Sequence, residues 1–159
     1  MSTSSIAHHH PADPVHEHHE DGHHDDHGPD KGWRRWVLAT NHKDIGTMYL
    51  LFSLLMFFVG GTMAMVIRAE LFEPGMQLVD PMFFNQMTTM HALIMIFGAV
   101  MPAFVGLANW MIPLQIGAPD MALPRMNNFS FWILPFAFTL LLGTLLVPGG
   151  APAGGWTTI

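Results

Sequence analysis

The sequence predicts an all-α membrane protein, a bundle of three transmembrane helices. Half of its 159 residues are hydrophobic and 11% are charged, whereas a typical soluble domain has roughly 25% charged residues. Polar residues are also segregated, because ten of the eleven histidines and eight of the twelve acidic residues precede residue 45. From there on, the charged side chains are Arg68, Glu70, Glu73, Asp80, Asp120 and Arg125.

Three apolar stretches account for the predicted helices. They cover about residues 45–67, 82–112 and 129–147, close to or above the roughly 20 residues that a helix needs to cross a bilayer. Within the first stretch, Gly60 and Ala64 are small residues four positions apart, which permits close approach of a second helix. This stretch begins too late and is too long to be a cleavable secretory signal.

Basic and aromatic side chains precede the first apolar stretch. Loops on the cytoplasmic side of a membrane carry an excess of lysine and arginine, and tryptophan is enriched at the interface. We therefore expect a cytoplasmic N-terminus and, after three spans, a C-terminus outside. The residues concerned are Lys31, Arg34, Arg35 and Lys43, with Trp33 and Trp36 among them.

Residues 1–30 form a low-complexity head rich in histidine and aspartate. Such a segment buries too little apolar surface to offset its chain entropy, so we predict a disordered cytoplasmic tail before a transmembrane part over residues 31–159. Its imidazoles suit copper, nickel or zinc, but no spacing indicates a defined site, and a solvated tail is the alternative. The absence of cysteine excludes thiolate sites,, and without a basic stripe we expect no nucleic-acid partner.

His91 is the one histidine within a predicted span. An ionisable side chain inside a membrane is costly and is a functional candidate by default. A neutral imidazole can offer one nitrogen to haem iron while the other donates a hydrogen bond. The alternative is a histidine that hydrogen-bonds to a neighbouring helix.

Arg68 closes the first span. If the first two helices are antiparallel neighbours, Arg68 lies on the membrane side where the second span starts. His91 lies about nine residues, or roughly 13 Å, into that second span, so a large flat cofactor could contact both. Arg68 would then be a fixed cation for a carboxylate, a propionate or a polarised carbonyl. The alternative is an arginine that extends to the interface.

Polar residues cluster in the two loops. In the outer loop, Glu70, Glu73 and Asp80 suit a hard cation such as calcium, with a solvated acidic loop as the alternative. In the inner loop, Asp120 follows a proline.

The helix ends near this inner loop carry amides. Asn109, Asn127 and Asn128 lie close to Asp120 in the sequence. Amides and a carboxylate at a helix boundary can hold a water chain for proton entry, or they can cap helices and form turns. Trp156 follows a glycine-rich segment, where an interfacial tryptophan is the simplest interpretation.

Several segments together resemble subunit I of the haem–copper oxidases, of the cytochrome c oxidase type. The resemblance covers the chain from residue 36 to its end, and its longest segment is highly specific. The segments are WVLATNHKDIGTMYLLF (36–52), IRAEL (67–71), TTMHALIMIFGAVMP (88–102), NWMIPLQIGAPDMALPRMNNFSFW (109–132) and GGWT (154–157).

This resemblance implies roles at the outer end of the helices. His91 matches an axial ligand of the low-spin haem a. Arg68 matches the arginine that hydrogen-bonds the formyl group of that haem, and Trp156 matches a tryptophan near its propionates. Glu70 and Gly75 match outer-loop residues of a sodium or calcium site.

At the inner end, Asp120 matches the mouth of a proton-uptake channel, and Asn109 and Asn127 match asparagines further along it. The resemblance implies that electrons pass from cytochrome c through haem a to a haem a3–copper centre, where oxygen is reduced to water with proton pumping. The charged pair of quinol-using relatives is absent from residues 59–63, which favours cytochrome c as the donor. Oxidase subunits II and III and membrane lipid are the other expected partners, in a bacterial-type inner (plasma) membrane.

The resemblance also predicts that this chain is part of a larger subunit. The family subunit has about twelve helices, so these three would be its first part. The second axial ligand of haem a, the ligands of copper and the haem a3 histidine would lie beyond Ile159. We therefore expect an N-terminal piece that is not catalytic alone.

Two other functions remain open. The first is a non-catalytic assembly or interaction module with a copper-binding histidine tail. The second is a small transporter with Asp120 and His91 as a proton relay. It is disfavoured because no ionisable residue lies between the two along the second helix to carry the proton.

Overall fold

A computed structural model describes residues 32–155 and contains no β-strand in that range. The helices are joined by loops of a few to ten residues, and about three quarters of the described residues are helical. In chain order the elements are α1 (Trp33–Val37), α2 (His42–Glu70), α3 (Pro81–Leu93), a π-helical segment (Ile94–Val100), α4 (Met101–Ile116), α5 (Pro124–Gly143) and a 3-10 turn (Thr144–Leu146).

Three helices are long and apolar enough to cross a membrane, as the sequence predicts. α3, the π-helical segment and α4 form one continuous helix, and the 3-10 turn extends α5. The three spans are His42–Glu70 with 29 residues, Pro81–Ile116 with 36 residues and Pro124–Leu146 with 23 residues. The protein is therefore an integral membrane protein with an all-α transmembrane bundle.

The first two spans start before the apolar stretches that the sequence delineates. The side chain of Asn41 accepts a hydrogen bond from the backbone N–H of Lys43 at 3.0 Å, and Asp80 accepts one from Met82 at 3.0 Å. Such caps satisfy backbone donors that have no partner within the helix. Each helix therefore starts directly after a polar capping residue, and its apolar part begins further along the chain.

Proline residues explain the remaining differences in length. The second span continues through Pro113 to Ile116 and ends at Gly117, whose φ of 70° is left-handed,. The third span begins at Pro124 rather than near residue 129, because the first turn of a helix tolerates proline,.

α2 packs antiparallel against the second span along a line of small residues. As the residue number rises along α2, the number of its contact on the second span falls. The small residues of α2 are seven positions apart, so they share one helix face. The pairs in contact are Gly46 with Gly106, Ser53 with Ala99, and Gly60 with Met95.

At Gly46 and Gly106 the two backbones approach closely. A Cβ atom on either glycine would lie 3.0 Å from the carbonyl oxygen of the other. Only a residue without a side chain fits at such a crossing, as at other close helix contacts in membranes.

The π-helical segment lies in the middle of the second span, where the sequence shows only apolar residues. Ser53 on α2 donates a hydrogen bond of 2.6 Å to the Ala99 carbonyl inside this segment. A π-helical turn displaces backbone carbonyls from the usual helical pattern, and a hydroxyl from a neighbouring helix can satisfy such a group within a membrane.

α5 packs against α2 through aromatic rings. Tyr49 meets Phe131 edge to face with ring centroids 5.2 Å apart, and Phe52 meets Phe138 at 5.6 Å. Residue numbers rise together along this contact, so α5 runs parallel to α2. The three spans therefore alternate in direction.

α1 is held at the end of the bundle where α2 begins. The Val37 carbonyl accepts hydrogen bonds from Asn128 at 2.8 Å and Trp132 at 3.2 Å, both on α5. Arg35 makes two hydrogen bonds, of 3.0 and 3.1 Å, to the Asp44 carboxylate. The hydrogen bonds and the charge of this carboxylate raise the pKa of Arg35.

Candidate functional site

A cavity of about 500 Å³ opens between the end of α2 and α3. Its wall combines apolar side chains with one imidazole and one guanidinium. The lining residues are Ala64, Ile67, Arg68, Leu71, Phe72 and His91. The two polar residues that the sequence singles out at this end of the helices therefore face the same space.

His91 is held from behind by α2. Its Nδ1 lies 2.9 Å from the Gly60 carbonyl oxygen. A carbonyl oxygen can only accept a hydrogen bond, so Nδ1 carries a proton, and in the neutral imidazole Nε2 then has the lone pair. The ring thus has one nitrogen engaged with the protein and the other available as a ligand.

Arg68 is exposed in the last turn of α2. Its side chain makes no hydrogen bond or ion pair with any other residue of the described range 32–155. Its guanidinium is therefore available to an acceptor within the cavity. Trp156, which the resemblance associates with the same cofactor, lies outside the described residues.

The outer loop is organised by Glu70. Its buried carboxylate accepts hydrogen bonds from three successive backbone N–H groups, those of Gln77 at 2.9 Å, Leu78 at 2.8 Å and Val79 at 3.0 Å. Gly75 and Glu70 line a common cavity of about 200 Å³.

The other acidic residues of this loop have separate surroundings. Asp80 caps α3, and Glu73 is exposed. Across residues 32–155, no group of three or more histidine or acidic side chains is arranged to hold a metal ion. Glu70, Glu73 and Asp80 thus do not form one cluster of carboxylate ligands.

At the opposite end of the bundle, Asp120 contacts the start of α2. One of its carboxylate oxygens lies 3.1 Å from His42 Nδ1 and accepts a hydrogen bond of 3.3 Å from the His42 backbone N–H. His42 is 5% exposed, and its Nε2 is buried without a partner among the described residues. The Asp120 side chain itself is 42% exposed, so this carboxylate links the solvent to a buried imidazole.

Asn109 and Asn127 meet directly. The Asn127 side-chain nitrogen donates a hydrogen bond of 2.9 Å to the side-chain oxygen of Asn109. The same nitrogen lies 3.1 Å from the sulfur of Met121, the residue after Asp120. The structure therefore brings the two predicted asparagines together, while Asp120 is connected to them through its chain neighbour.

A directed set of hydrogen bonds extends from Asn127 into the bundle. Ser130 donates to the Asn127 carbonyl at 2.7 Å, and the Tyr49 hydroxyl lies 3.1 Å from the Ser130 oxygen. Because the serine proton is used toward the carbonyl, Tyr49 is the donor in the second bond.

Three of these network residues were not predicted from the sequence. His42, Tyr49 and Ser130 each have a partner about 80 residues away in the chain, so no local spacing marks them. One of them could have been identified from the sequence. Tyr49 is the single tyrosine of the chain, and within an apolar stretch its hydroxyl needs a hydrogen-bond partner.

Comparison with known proteins gives a consistent result. Residues 44–159 match the family model described as cytochrome c and quinol oxidase polypeptide I. The chain is 49% identical over 122 residues to a probable cytochrome c oxidase subunit 1-alpha of Streptomyces coelicolor, covering 77% of this chain and 21% of that protein.

Two further relatives have the name cytochrome c oxidase subunit 1. A cytochrome c oxidase subunit 1 of Corynebacterium diphtheriae is 47% identical over 132 residues, covering 82% of this chain and 23% of that protein. The protein of the same name from Pecten maximus is 42% identical over 126 residues, covering 79% and 26%. The chain thus spans about a quarter or less of the length of these relatives.

Proposed function

We propose that this chain, which belongs to the cytochrome c and quinol oxidase polypeptide I family, is part of a cytochrome c oxidase subunit I. In that subunit it would hold the electron-input haem and contain the entrance of the proton-uptake path. The observation that carries this proposal is the cavity lined by both His91 and Arg68. Its two polar groups differ in chemistry, one a nitrogen ligand and the other a fixed cation.

The donor set of the cavity fits a haem. The imidazole of His91 has Nε2 free for the iron, and Arg68 is free to donate to a formyl or carboxylate oxygen of the cofactor. The remaining walls are aliphatic or aromatic, as the ring of a haem requires. A bound haem a would supply reversible uptake of one electron, and Trp156 is the further residue proposed to lie near it.

The residues of the chain would hold the cofactor in a defined orientation. His91 is fixed by the Gly60 carbonyl, and Arg68 follows two turns later on α2. His91 and Arg68 would thus hold the haem through its iron and through an oxygen substituent. The second haem ligand, the haem a3 site and the copper ligands are proposed to come from outside the described residues.

At the inner end, we assign proton uptake to Asp120, Asn109 and Asn127. The exposed carboxylate of Asp120 can exchange protons with water, and Asn127 donates a hydrogen bond to the buried side chain of Asn109. His42, Tyr49 and Ser130 extend this network, because each is bonded to one of its members.

The outer loop offers a candidate cation site. A carboxylate has about four lone-pair positions, and three N–H donors already contact Glu70. A sodium or calcium ion would therefore use the remaining position of Glu70 and the carbonyl of Gly75, with other ligands from outside the described residues.

Membrane orientation and partners follow from the same assignment. Arg34, Arg35 and Lys43 are exposed at the end of the bundle that carries Asp120, which supports a cytoplasmic N-terminus by the positive-inside rule. Subunits II and III of the oxidase, cytochrome c as electron donor and membrane lipid are the proposed partners. The histidine-rich head and its copper-binding alternative lie outside the described residues.

Haem analysis of the purified oxidase tests the assignment. Replacement of His91 by alanine removes the proposed iron ligand, so the complex is expected to lose its low-spin haem while the protein remains in the membrane. A His91→Ala complex that retains low-spin haem in full would contradict the proposal.

A further inference from the structure

We propose that the sulfur of Met121 is a positioning group for the side-chain amide of Asn127 and fixes the polarity of the Asn127–Asn109 pair. This inference rests on the proposed function, because it concerns how the residues of the proposed proton entrance are held. It is carried by two contacts of one residue. The Met121 sulfur lies 3.1 Å from the side-chain nitrogen of Asn127, and the Met121 backbone N–H donates a hydrogen bond of 2.8 Å to the Asp120 carboxylate.

Two side-chain amides can pair in either of two senses. Each has a nitrogen with two donor hydrogens on one side and an acceptor oxygen on the other. Asn127 could therefore donate to Asn109, or Asn109 could donate to Asn127. Because each arrangement contains one hydrogen bond, the bond between these two residues does not by itself select one of them.

The sulfur of Met121 selects between the two arrangements. A thioether is a weak acceptor and has no hydrogen to donate, so it favours the amide nitrogen of Asn127 over the amide oxygen. This nitrogen has one hydrogen for the Met121 sulfur at 3.1 Å and another for the Asn109 oxygen at 2.9 Å. Asn127 is thereby the donor of the pair, and Asn109 is the acceptor.

This polarity determines which groups of the pair remain free. Within residues 32–155, the side-chain oxygen of Asn127 and the side-chain nitrogen of Asn109 have no hydrogen-bond partner. A water molecule that contacts Asn127 would donate to it, and one that contacts Asn109 would accept from it. Since hydrogen bonds in a chain polarise one another, the pair would set the direction in which a chain of waters aligns its hydrogens.

The backbone of Met121 holds the other member of the proposed entrance. Its N–H donates to the same Asp120 oxygen that accepts from the His42 backbone N–H at 3.3 Å. Met121 therefore joins a carboxylate that is 42% exposed to an asparagine pair whose acceptor, Asn109, is 4% exposed. A substitution of the Met121 side chain keeps the backbone link and changes the link to Asn127.

The test measures proton uptake and protons pumped per electron by the purified oxidase complex in vesicles. Met121→Leu keeps the size of the side chain but has no acceptor, so it is expected to slow proton uptake severalfold and to lower pumping. Met121→Gln returns an acceptor oxygen and is expected to retain most of the wild-type uptake. The control is Met126→Leu, since Met126 precedes Asn127 in the chain, is 64% exposed and makes no hydrogen bond within residues 32–155. It is expected to match the wild type.

A double variant tests whether Met121 acts through Asn127. In Asn127→Ala the sulfur has no amide to orient, so adding Met121→Leu is expected to leave the residual proton uptake of Asn127→Ala unchanged. A further loss in the double variant would overturn the inference, because Met121 would then act on another group. The low-spin haem band shows whether each complex has assembled. If Met121→Leu does not assemble, Met121→Ala replaces it in the same comparisons.

Wild-type uptake and pumping in Met121→Leu would overturn the inference. Equal losses in Met121→Leu and Met121→Gln would overturn it as well, because an acceptor at this position would then make no difference. The proposed entrance has a separate test, the effect of Asp120→Asn on pumping. If Asp120→Asn slows pumping but Met121→Leu behaves as the wild type, only the role of Met121 is refuted. If Asp120→Asn pumps normally, the proposed entrance itself fails.

Discussion

The side-chain amide of Asn127 donates a hydrogen bond of 2.9 Å to the side-chain oxygen of Asn109. This bond joins α5 to α4 across the inner loop that carries Asp120. Asn109 is 4% exposed, and Asn127 is its one hydrogen-bond partner through the side chain within residues 32–155. The pair thus contributes to helix packing as well as to the proposed proton path.

Asn127→Ala is expected to destabilise the bundle and to slow proton uptake, because it leaves a buried amide oxygen without its donor. Interhelical hydrogen bonds in membranes average about 0.6 kcal/mol, with a maximum near 1.7 kcal/mol. A double-mutant cycle with Asn109→Ala, measured by denaturation in detergent, should give a coupling energy in that range. Additive effects of the two substitutions would mean that the pair makes no stabilising contact.

Tyr49→Phe is expected to slow proton uptake with little change in stability. The substitution removes the donor to Ser130 but keeps the ring that packs on Phe131. The check is oxygen consumption together with proton uptake by the oxidase in vesicles. Phe131→Leu is the converse control, since it should lower stability and leave the hydroxyl chain in place. Equal proton uptake in Tyr49→Phe and the wild type would exclude the hydroxyl from the path.

Asp120→Asn should slow turnover and proton pumping, because an amide cannot release a proton at the entrance. His42→Ala should have a smaller effect in the same direction, since it removes the imidazole that lies 3.1 Å from the carboxylate but keeps the acid. Both are measured as protons pumped per electron in vesicles. Unchanged pumping in Asp120→Asn would count against the entrance role.

Glu70→Gln is expected to loosen the outer loop. The amide retains the shape of the carboxylate but places an NH₂ group against backbone N–H donors, so at least one of the three hydrogen bonds is lost. Limited proteolysis from the outer side of the membrane should then cut residues 71–80 faster. Glu73→Gln is the control, since Glu73 is exposed and makes no hydrogen bond or ion pair within residues 32–155. Equal cleavage rates in the two variants would contradict the role of Glu70.

The fold was largely predictable because each span is a long apolar stretch. The helix boundaries were less predictable from hydrophobicity. The caps Asn41 and Asp80 and the first-turn residue Pro124 determine where the helices start, and none of them lies within an apolar stretch. The π-helical segment was not predictable either. Its seven residues are all apolar, and the Ser53 hydroxyl that donates to its Ala99 carbonyl lies 46 residues away in the chain.

The site was predictable where chemistry is unusual for its surroundings. A histidine and an arginine in apolar helices attract attention by their cost in a membrane, so His91 and Arg68 could be identified. His42 could not, because it stands beside other polar residues at the helix start. Its relation to Asp120 depends on the packing of the inner loop against α2, which no local pattern encodes.

The most direct test is the reduced-minus-oxidised absorption spectrum of membranes that contain the variant oxidase. The cavity assignment predicts that His91→Ala loses the low-spin haem band and that Arg68→Leu keeps it at a shorter wavelength, because the cation no longer polarises the formyl group. Thr88→Ala, an exposed change one turn before His91 that removes only a bond to Phe84, should match the wild type. A normal band in His91→Ala would contradict the assignment of this cavity to the haem, and an unshifted band in Arg68→Leu would contradict the role of Arg68.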